Sequence, residues 1–452
     1  MKSLALTARP AKNKKIDVLF NGTKLTSDAG AILLQKVDQK LQLSECISQV
    51  VRDPRDQRYI HHQQRDLLAQ RIFSIALGYE DVNDQKDLRH DSALLAAIKN
   101  DTNEEFPLGP SSTLTRLENR ITSKELAILS KIFVELFIES HDTPPKQLIF
   151  DVDTTNDTIH GDQEGKYFNG FYDEHCFLPL YFFCGGQLLW AQLRSSKTGG
   201  SHGMLAIFHY LVTRIKKEWP DVEIILRGDA GFYSPKLLRY CDRCGYKYIL
   251  GFSSNSVLKT LSEKIVFATE MFFVDAGSQE PFRLFWEYDY QARTWSHARK
   301  VIVKAERLPD KNDFRGKENT RFIVTNLEGK AKELYENVYC ARGDMENRIK
   351  EQQLMLFADR TSCHRFEANR FRLFLSCCAY VLMETIRRTA LAGTPMAKAQ
   401  CSTIRVKLLK VAAVVTESVR RIVLSLPDVY PMRKLWLRVF HWFDAGRPIP
   451  AD

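Results

Sequence analysis

The sequence has no apolar run long enough to cross a membrane. The best candidate, Leu373 to Met383, is bracketed by Arg372 and Glu384 and falls short of the roughly 18 residues a span needs. The opening residues, Met1 to Arg9, hold too short an apolar stretch for a secretory signal. No internal repeat or long low-complexity tract is visible. There is no P-loop, dinucleotide fingerprint or nucleophile elbow, so nucleotide and ester hydrolysis have no support. Acidic residues are in deficit: 55 Asp and Glu face 65 Lys and Arg, for a net charge of +10. That balance suits a polyanionic partner and argues against a carboxylate glycosidase. The ten cysteines form no disulfide framework; they are scattered, with Cys377-Cys378 adjacent in an apolar run, which reads as reduced thiols of a cytosolic protein. Cys241-Asp-Arg-Cys244 has zinc-ligand spacing but no matching second pair, so structural thiols are the better reading.

What is present is a 452-residue chain, 44% hydrophobic, long enough for two or three domains with substantial cores. Residues 8 to 15 are basic and form either an arm that touches phosphates or a solvated tail. Helical periodicity predicts helices over Ala31 to Leu41 and Gln64 to Ala76. A third helix is expected to start near Thr115, where Thr115-Arg-Leu-Glu118 has capping-box spacing, and a fourth to cover Lys124 to Ser140. His61-His62 lack partner spacing for a metal and read as surface or packed histidines.

The texture changes at Pro144-Pro145. Gln147 to Thr155 reads as a buried strand ending in Asp151 and Asp153, which share a face because strand side chains alternate. Two further strands, Phe177 to Cys184 and Leu188 to Leu193, form a hairpin, and a helix covers Met204 to Lys217. His160 and His202 fall in loops, where turn-stabilising roles are expected. Val222 to Leu226 runs into Arg227-Gly-Asp229, followed by a helix from Ser234-Pro235 and a strand from Tyr246 to Phe252. This is a β-α-β unit with an acid at the carboxyl end of its first strand, where ligands bind in open α/β sheets. From Phe267 to Leu327 the pattern alternates, including Phe272 to Val274, and suggests a strand-rich insertion. A long apolar helix is expected over Arg365 to Leu391. The remainder, Ile404 to Phe443, reads as helical and basic, as either a DNA-facing surface or a solvated face.

The stretch Tyr339-Cys-Ala-Arg342-Gly-Asp-Met-Glu346-Asn-Arg-Ile-Lys350 places Arg342, Glu346 and Lys350 at i, i+4 and i+8, one charged stripe if helical. Surface salt bridges share that spacing. Asp153 and Asp229 change the weighing, because carboxylates are the ligands hard divalent cations require. Two such ions about 4 Å apart serve phosphoryl displacement.

On these residues the chain resembles the DDE transposases of bacterial insertion sequences. The matching features are Asp153-Thr-Thr155, Gly228-Asp229, and Tyr339, Arg342 and Glu346 at Tyr-x-x-Arg-x-x-x-Glu spacing. Leu25-Thr-Ser-Asp-Ala-Gly30, Arg71 through Gly78-Tyr-Glu-Asp81 and the tract His160 to Pro179 extend the resemblance over most of the chain. The family signature usually continues with Lys seven residues after the Glu; here that position is Gln353, and Lys350 becomes the candidate for the phosphate contact.

The resemblance implies an α/β fold: an RNase H-like mixed sheet core (146–264 and 328–392) with a β-strand insertion (265–327). It implies a mainly helical DNA-binding region before the core (1–145) and a basic helical region after it (393–452). It also implies two Mg²⁺ ions, with Mn²⁺ able to substitute, held by Asp153, Asp229 and Glu346, with Asp151 as a supporting or structural acid. Water would cut a strand at the element's end, and the freed 3′-hydroxyl would attack the other strand or a target. Tyr339, Arg342 and Lys350 would hold DNA, and Trp286 and Trp295 are either base-stacking aromatics or packing groups. The expected partners are double-stranded DNA, at element ends and target, and a second copy in a homodimer, in a cytoplasmic, nucleoid-associated protein that contacts no membrane. Two alternatives remain: an RNase H-like nuclease that joins nothing, and a catalytically silent regulator derived from a transposase.

Overall fold

Eight segments rich in apolar residues build one mixed sheet. In a computed structural model of the chain, which describes residues 6–8, 16–18, 24–103, 105–277 and 280–445, the segments are β1 (Gln147–Thr154), β2 (Leu180–Cys184), β3 (Gln187–Gln192), β4 (Glu223–Gly228), β5 (Lys247–Phe252), β6 (Phe282–Tyr290), β7 (Arg299–Leu308) and β8 (Arg321–Thr325). They lie in the order β6-β7-β8-β5-β4-β1-β2-β3, with the short strand Lys317–Glu318 added against β7. β4 runs parallel to both β1 and β5, and the other neighbours on this path are antiparallel. The fold is therefore mixed α/β. The chain forms two compact units. One comprises Met1–Ile121, Met355–Phe357 and Cys378–Asp452; the other comprises Thr122–Leu354 and Ala358–Cys377 and contains the whole sheet.

Both faces of the sheet are covered. On one, Phe150, Val152, Ile224, Leu226 and Leu250 pack with Phe208 and Leu211 of helix α1 (Met204–Glu218) and Leu237 and Leu238 of α2 (Pro235–Cys244). Pro235 opens α2 where a missing N–H costs nothing, and Ser234 caps it by accepting from Leu237 N. On the other face, Ile225, Ile249, Ile302 and Ile323 pack with Leu334 and Tyr335, and Ile149 joins them. Since side chains alternate along a strand, Asp151 and Asp153 share the face of Ile149. That face receives the helical tract of residues 331–355.

In the first unit, the helix Gln64–Leu77 is buried along nearly its whole length. Asp28 lies buried and accepts hydrogen bonds from Lys410 Nζ (2.7 Å), Tyr79 Oη (2.7 Å) and Ser27 Oγ (2.8 Å). A Cβ on Gly30 would stand 2.2 Å from Leu409 Cα. The tract Leu25 to Gly30 and the Gly78-Tyr79 turn thus serve this unit's packing.

Several sequence expectations change. Thr115 does not open a helix. The helix is Ser111–Arg120, Thr115 Oγ1 donates to Ser111 O within it, and Glu118 is the buried partner of Arg71 (2.7 Å). The capping box is formed by Thr122 and Glu125 instead. The helix expected from Lys124 to Ser140 is two, Ser123–Leu129 and Ile132–Glu139, parted where Ser130 Oγ bonds back to Leu126 O. The strand expected from Phe177 to Cys184 breaks at Pro179, which has no N–H to give a ladder. Phe272 to Val274 lie not in a strand but in helix α3 (Ser256–Asp275), capped by Asn255, whose side chain accepts from Leu258 N. Phe267 and Phe272 are exposed on it, which hid the helical period. The strands after it extend the same sheet as β4 and β5.

The C-terminal part is not all helical. Ala413–Ser418 and Arg421–Ser425 form an antiparallel hairpin whose first strand pairs with Leu25–Thr26. Val414, Val415, Thr416, Ile422 and Val423 supply the branched residues that favour it. Apart from Ala8, the basic arm expected at 8–15 lies outside the described residues. Among the described residues no helix is long and apolar enough to cross a membrane, the long helix Phe366–Arg388 included.

Candidate active site

β1 and β4 are neighbouring parallel strands with Gly228 opposite Val152, so Asp153 and Asp229 lie side by side where the two strands end. Asp229 turns the chain: its Oδ1 accepts from Gly231 N (2.8 Å) and starts the tight turn Ala230–Phe232. Gly251 of β5 allows that turn to come close, since a Cβ there would meet Ala230 N at 2.5 Å and Tyr339 Oη at 2.9 Å.

The third acid arrives on a helix. Residues 331–355 are helical throughout, with α4 (Gly343–Lys350) at the centre and wider π turns over Leu334–Tyr339 and Glu351–Met355. The expected stripe forms. Arg342 Nη2 donates to Glu346 Oε1 (2.9 Å), one turn on, while its Nη1 donates to Asp153 Oδ2 (2.8 Å). One guanidinium therefore joins the first strand's acid to the helix's acid across 189 residues. Lys350 is exposed on the turn after Glu346.

The electrostatics follow from this crowding. Burial pushes the Asp153 carboxyl up to about 6; Arg342 opposes the shift, and the negative charges of Asp229 and Glu346 add to it. Burial alone would lower Arg342, yet Asp153, Tyr339, Glu346 and Asp229 outweigh it and hold the guanidinium above its ordinary value. Asp153 is near enough to feel the charge of both other acids, and Arg342 feels all three.

Asp151, two residues earlier on the same face, has a different occupation. Its oxygens accept from Arg227 Nε (2.5 Å) and Nη2 (2.8 Å), and Arg227 Nη1 donates on to Val338 O (2.5 Å). Both side chains are buried, at 3% and 8% exposed. This bidentate pair links β1, β4 and the helical tract. Arg227 was not singled out from the sequence; its pairing with a residue 76 positions away has no local signal.

Tyr339 borders a cavity of about 710 Å³ that opens beside Asp229 and is also lined by Ser253, Lys304, Arg321 and Phe171. Burial raises the Tyr339 hydroxyl pKa. Lys304 and Arg321, on β7 and β8, were likewise missed, because cations in strands look like ordinary outward positions. Trp286 and Trp295 are not together at this site. Trp295 is buried among Tyr233, Phe252 and Tyr290 and donates from Nε1 to Tyr233 Oη (2.7 Å), a packing role. Trp286 is exposed on β6.

The histidines stay apart from this chemistry. His160 and His202 contribute backbone oxygens to turns, accepting from Gln163 Nε2 (3.2 Å) and Arg194 Nη1 (2.6 Å). Burial pushes His62 down to about 4. Cys241 is buried and Cys244 exposed, both as free thiols.

Three carboxylates suit a hard divalent cation. Asp153, Asp229 and Glu346 are the donors that fit one in chemistry. Arg342 draws an oxygen from two of them, and among the described residues no three such side chains are grouped at ligand spacing.

Comparison with known proteins places the chain in a class. It belongs to the family described as Transposase DDE domain group 1, whose model matches residues 8–445. No curated protein matches it in sequence. Among solved structures, it is similar to the cryo-EM structure of a piggyBac transposase synaptic complex with hairpin DNA, at 11% identity and a TM-score of 0.39, over 98% of this chain and 84% of that one.

Proposed function

We propose that this transposase binds the ends of a bacterial insertion sequence and carries out divalent-metal-dependent strand cleavage and strand transfer on an RNase H-like core. The observation that carries the reading is the meeting of Asp153 and Asp229, at adjacent parallel strand ends, with Arg342 and Glu346 from a helix more than a hundred residues later. Asp153, Asp229 and Glu346 would hold Mg²⁺, as two ions, with Mn²⁺ as a substitute. When bound, such ions supply Lewis acidity to the attacking and leaving oxygens of an in-line displacement.

The chain's own groups do the rest. Arg342 holds Asp153 and Glu346, and its planar fork is suited to a phosphate oxygen pair. Lys350 presents a second cation on the same stripe, and Tyr339 bounds the strand's path. The basic residues of 1–145 and of 393–452 would hold the duplex, with the core at 146–264 and 328–392 and the added strands within 265–327. Two copies would bring two DNA ends together.

The test is a labelled duplex carrying the DNA that flanks the gene, incubated with the protein in Mg²⁺ and in EDTA. Joined products that require the ion support a transposase. Cut ends that are never joined point to a nuclease, and binding without cutting points to a regulator.

A further inference from the structure

Gln353 stands seven residues after Glu346, on the π turn that follows α4. Its Nε2 donates to Asn156 O (2.9 Å), and its Oε1 accepts from Thr155 Oγ1 (3.2 Å). Thr155 and Asn156 leave β1 after its last residue, Thr154, two and three positions beyond Asp153. The loop is also held from its other side, where Asn156 Nδ2 donates to Glu174 Oε1 (2.5 Å).

Glu346 is therefore bracketed by two ties to the same strand end: Arg342, four residues before it, reaches Asp153, and Gln353, seven after it, reaches Thr155 and Asn156. The first tie is an ion pair made to the acids themselves, so any cation entering between them competes with it. The second is neutral and touches no acid, so it survives that entry. An amide is also the group the geometry asks for. Lysine only donates and glutamate, when ionised, only accepts, whereas Gln does both at once.

We propose that Gln353 is a positioning residue that holds Asp153 and Glu346 in register and so sets the affinity for the divalent cation. The inference rests on the proposed role of the three carboxylates. Hydrogen bonds around metal ligands typically carry 10–100-fold in affinity, and the lower end suits a tie that acts through the backbone.

The experiment is Ca²⁺ binding by calorimetry on the DNA-free, full-length protein, comparing wild type with Gln353→Met, Thr155→Val and the double variant. Met nearly matches the shape of Gln and makes neither bond. The expected result is a loss of affinity of about tenfold in Gln353→Met, a smaller loss in Thr155→Val, which leaves the bond to Asn156 O in place, and no loss in the double beyond that of Gln353→Met, because both changes act on one shared tie. The metal-free melting temperature should move by less than about 4 °C. Wild-type affinity in Gln353→Met, or losses that add in the double variant, would overturn the positioning role alone. A wild type that binds no Ca²⁺ would overturn the carboxylate reading as well, so the two failures are distinct.

Discussion

Two substitutions of the same kind, two residues apart on one strand, should move stability in opposite directions. Asp151 is locked to Arg227 in a buried bidentate pair. Asp151→Asn strands a buried guanidinium, and breaking such a pair costs about 3–5 kcal/mol. Burial raises both carboxyls, but Asp153 differs in its partner: Arg342 keeps Glu346 when Asp153 loses its charge, and the Asp153 carboxyl is held at about 6 against an ordinary 3.8. A raised carboxyl pKa means that the folded state keeps the proton longer than the unfolded chain. Stability is then full below the unfolded value and is lost as pH rises through the folded one. At about 1.4 kcal/mol per pH unit of separation, the loss between pH 4 and pH 6 comes to about 3 kcal/mol. Asp153→Asn mimics the protonated form and escapes that loss. The assay is urea unfolding of the metal-free protein from pH 4 to pH 7.5, followed by tryptophan fluorescence. At pH 7.5 Asp153→Asn should gain up to about 3 kcal/mol, a gain that shrinks towards nothing at pH 4, while Asp151→Asn should lose. If Asp153→Asn is destabilised as much as Asp151→Asn, Asp153 is a structural acid and the reasoning fails.

Three further outcomes follow from the same geometry. Ca²⁺ should raise the melting temperature of the wild type and leave that of Asp153→Asn unmoved, read in a thermal-shift titration. Glu118→Gln breaks the buried pair with Arg71 and should cost about 3 kcal/mol, measured by urea unfolding, although both residues lie far from the acids in sequence. Gly30→Ala puts a methyl group 2.2 Å from Leu409 Cα, an overpacking that typically costs about 1–3 kcal/mol and should show as a lowered urea midpoint.

The placing of the candidate site's residues on strand ends and a helix was legible because those parts obey local rules. Asp153 and Asp229 end apolar strand runs, and Arg342 and Glu346 sit at helical spacing, so face and direction could be read for each. What could not be read was pairing at a distance. Nothing near Asp151 announces Arg227, and nothing near Thr155 announces Gln353; the latter drew notice only as a departure from a pattern. The same limit governed the fold. The strand β1, the hairpin β2-β3 and the unit β4-α2-β5 follow from short apolar runs, Gly turns and a Pro at a helix start. The joining of β6, β7 and β8 onto the edge beyond β5 is a long-range choice that strand period does not encode. The hairpin at 413–425 is another such case, since basic residues amid Val and Ile fit an amphipathic helix until Leu25–Thr26 supplies a partner strand.

The most direct measurement is cleavage and joining of a labelled duplex carrying the DNA that flanks the gene, in Mg²⁺, by wild type, Asp153→Asn, Asp229→Asn and Glu346→Gln, with duplex binding recorded in parallel. Wild type should cut and join, and each variant should bind as wild type does while doing neither. A variant among the three that still cuts at the wild-type rate would contradict the claim that these carboxylates form one site.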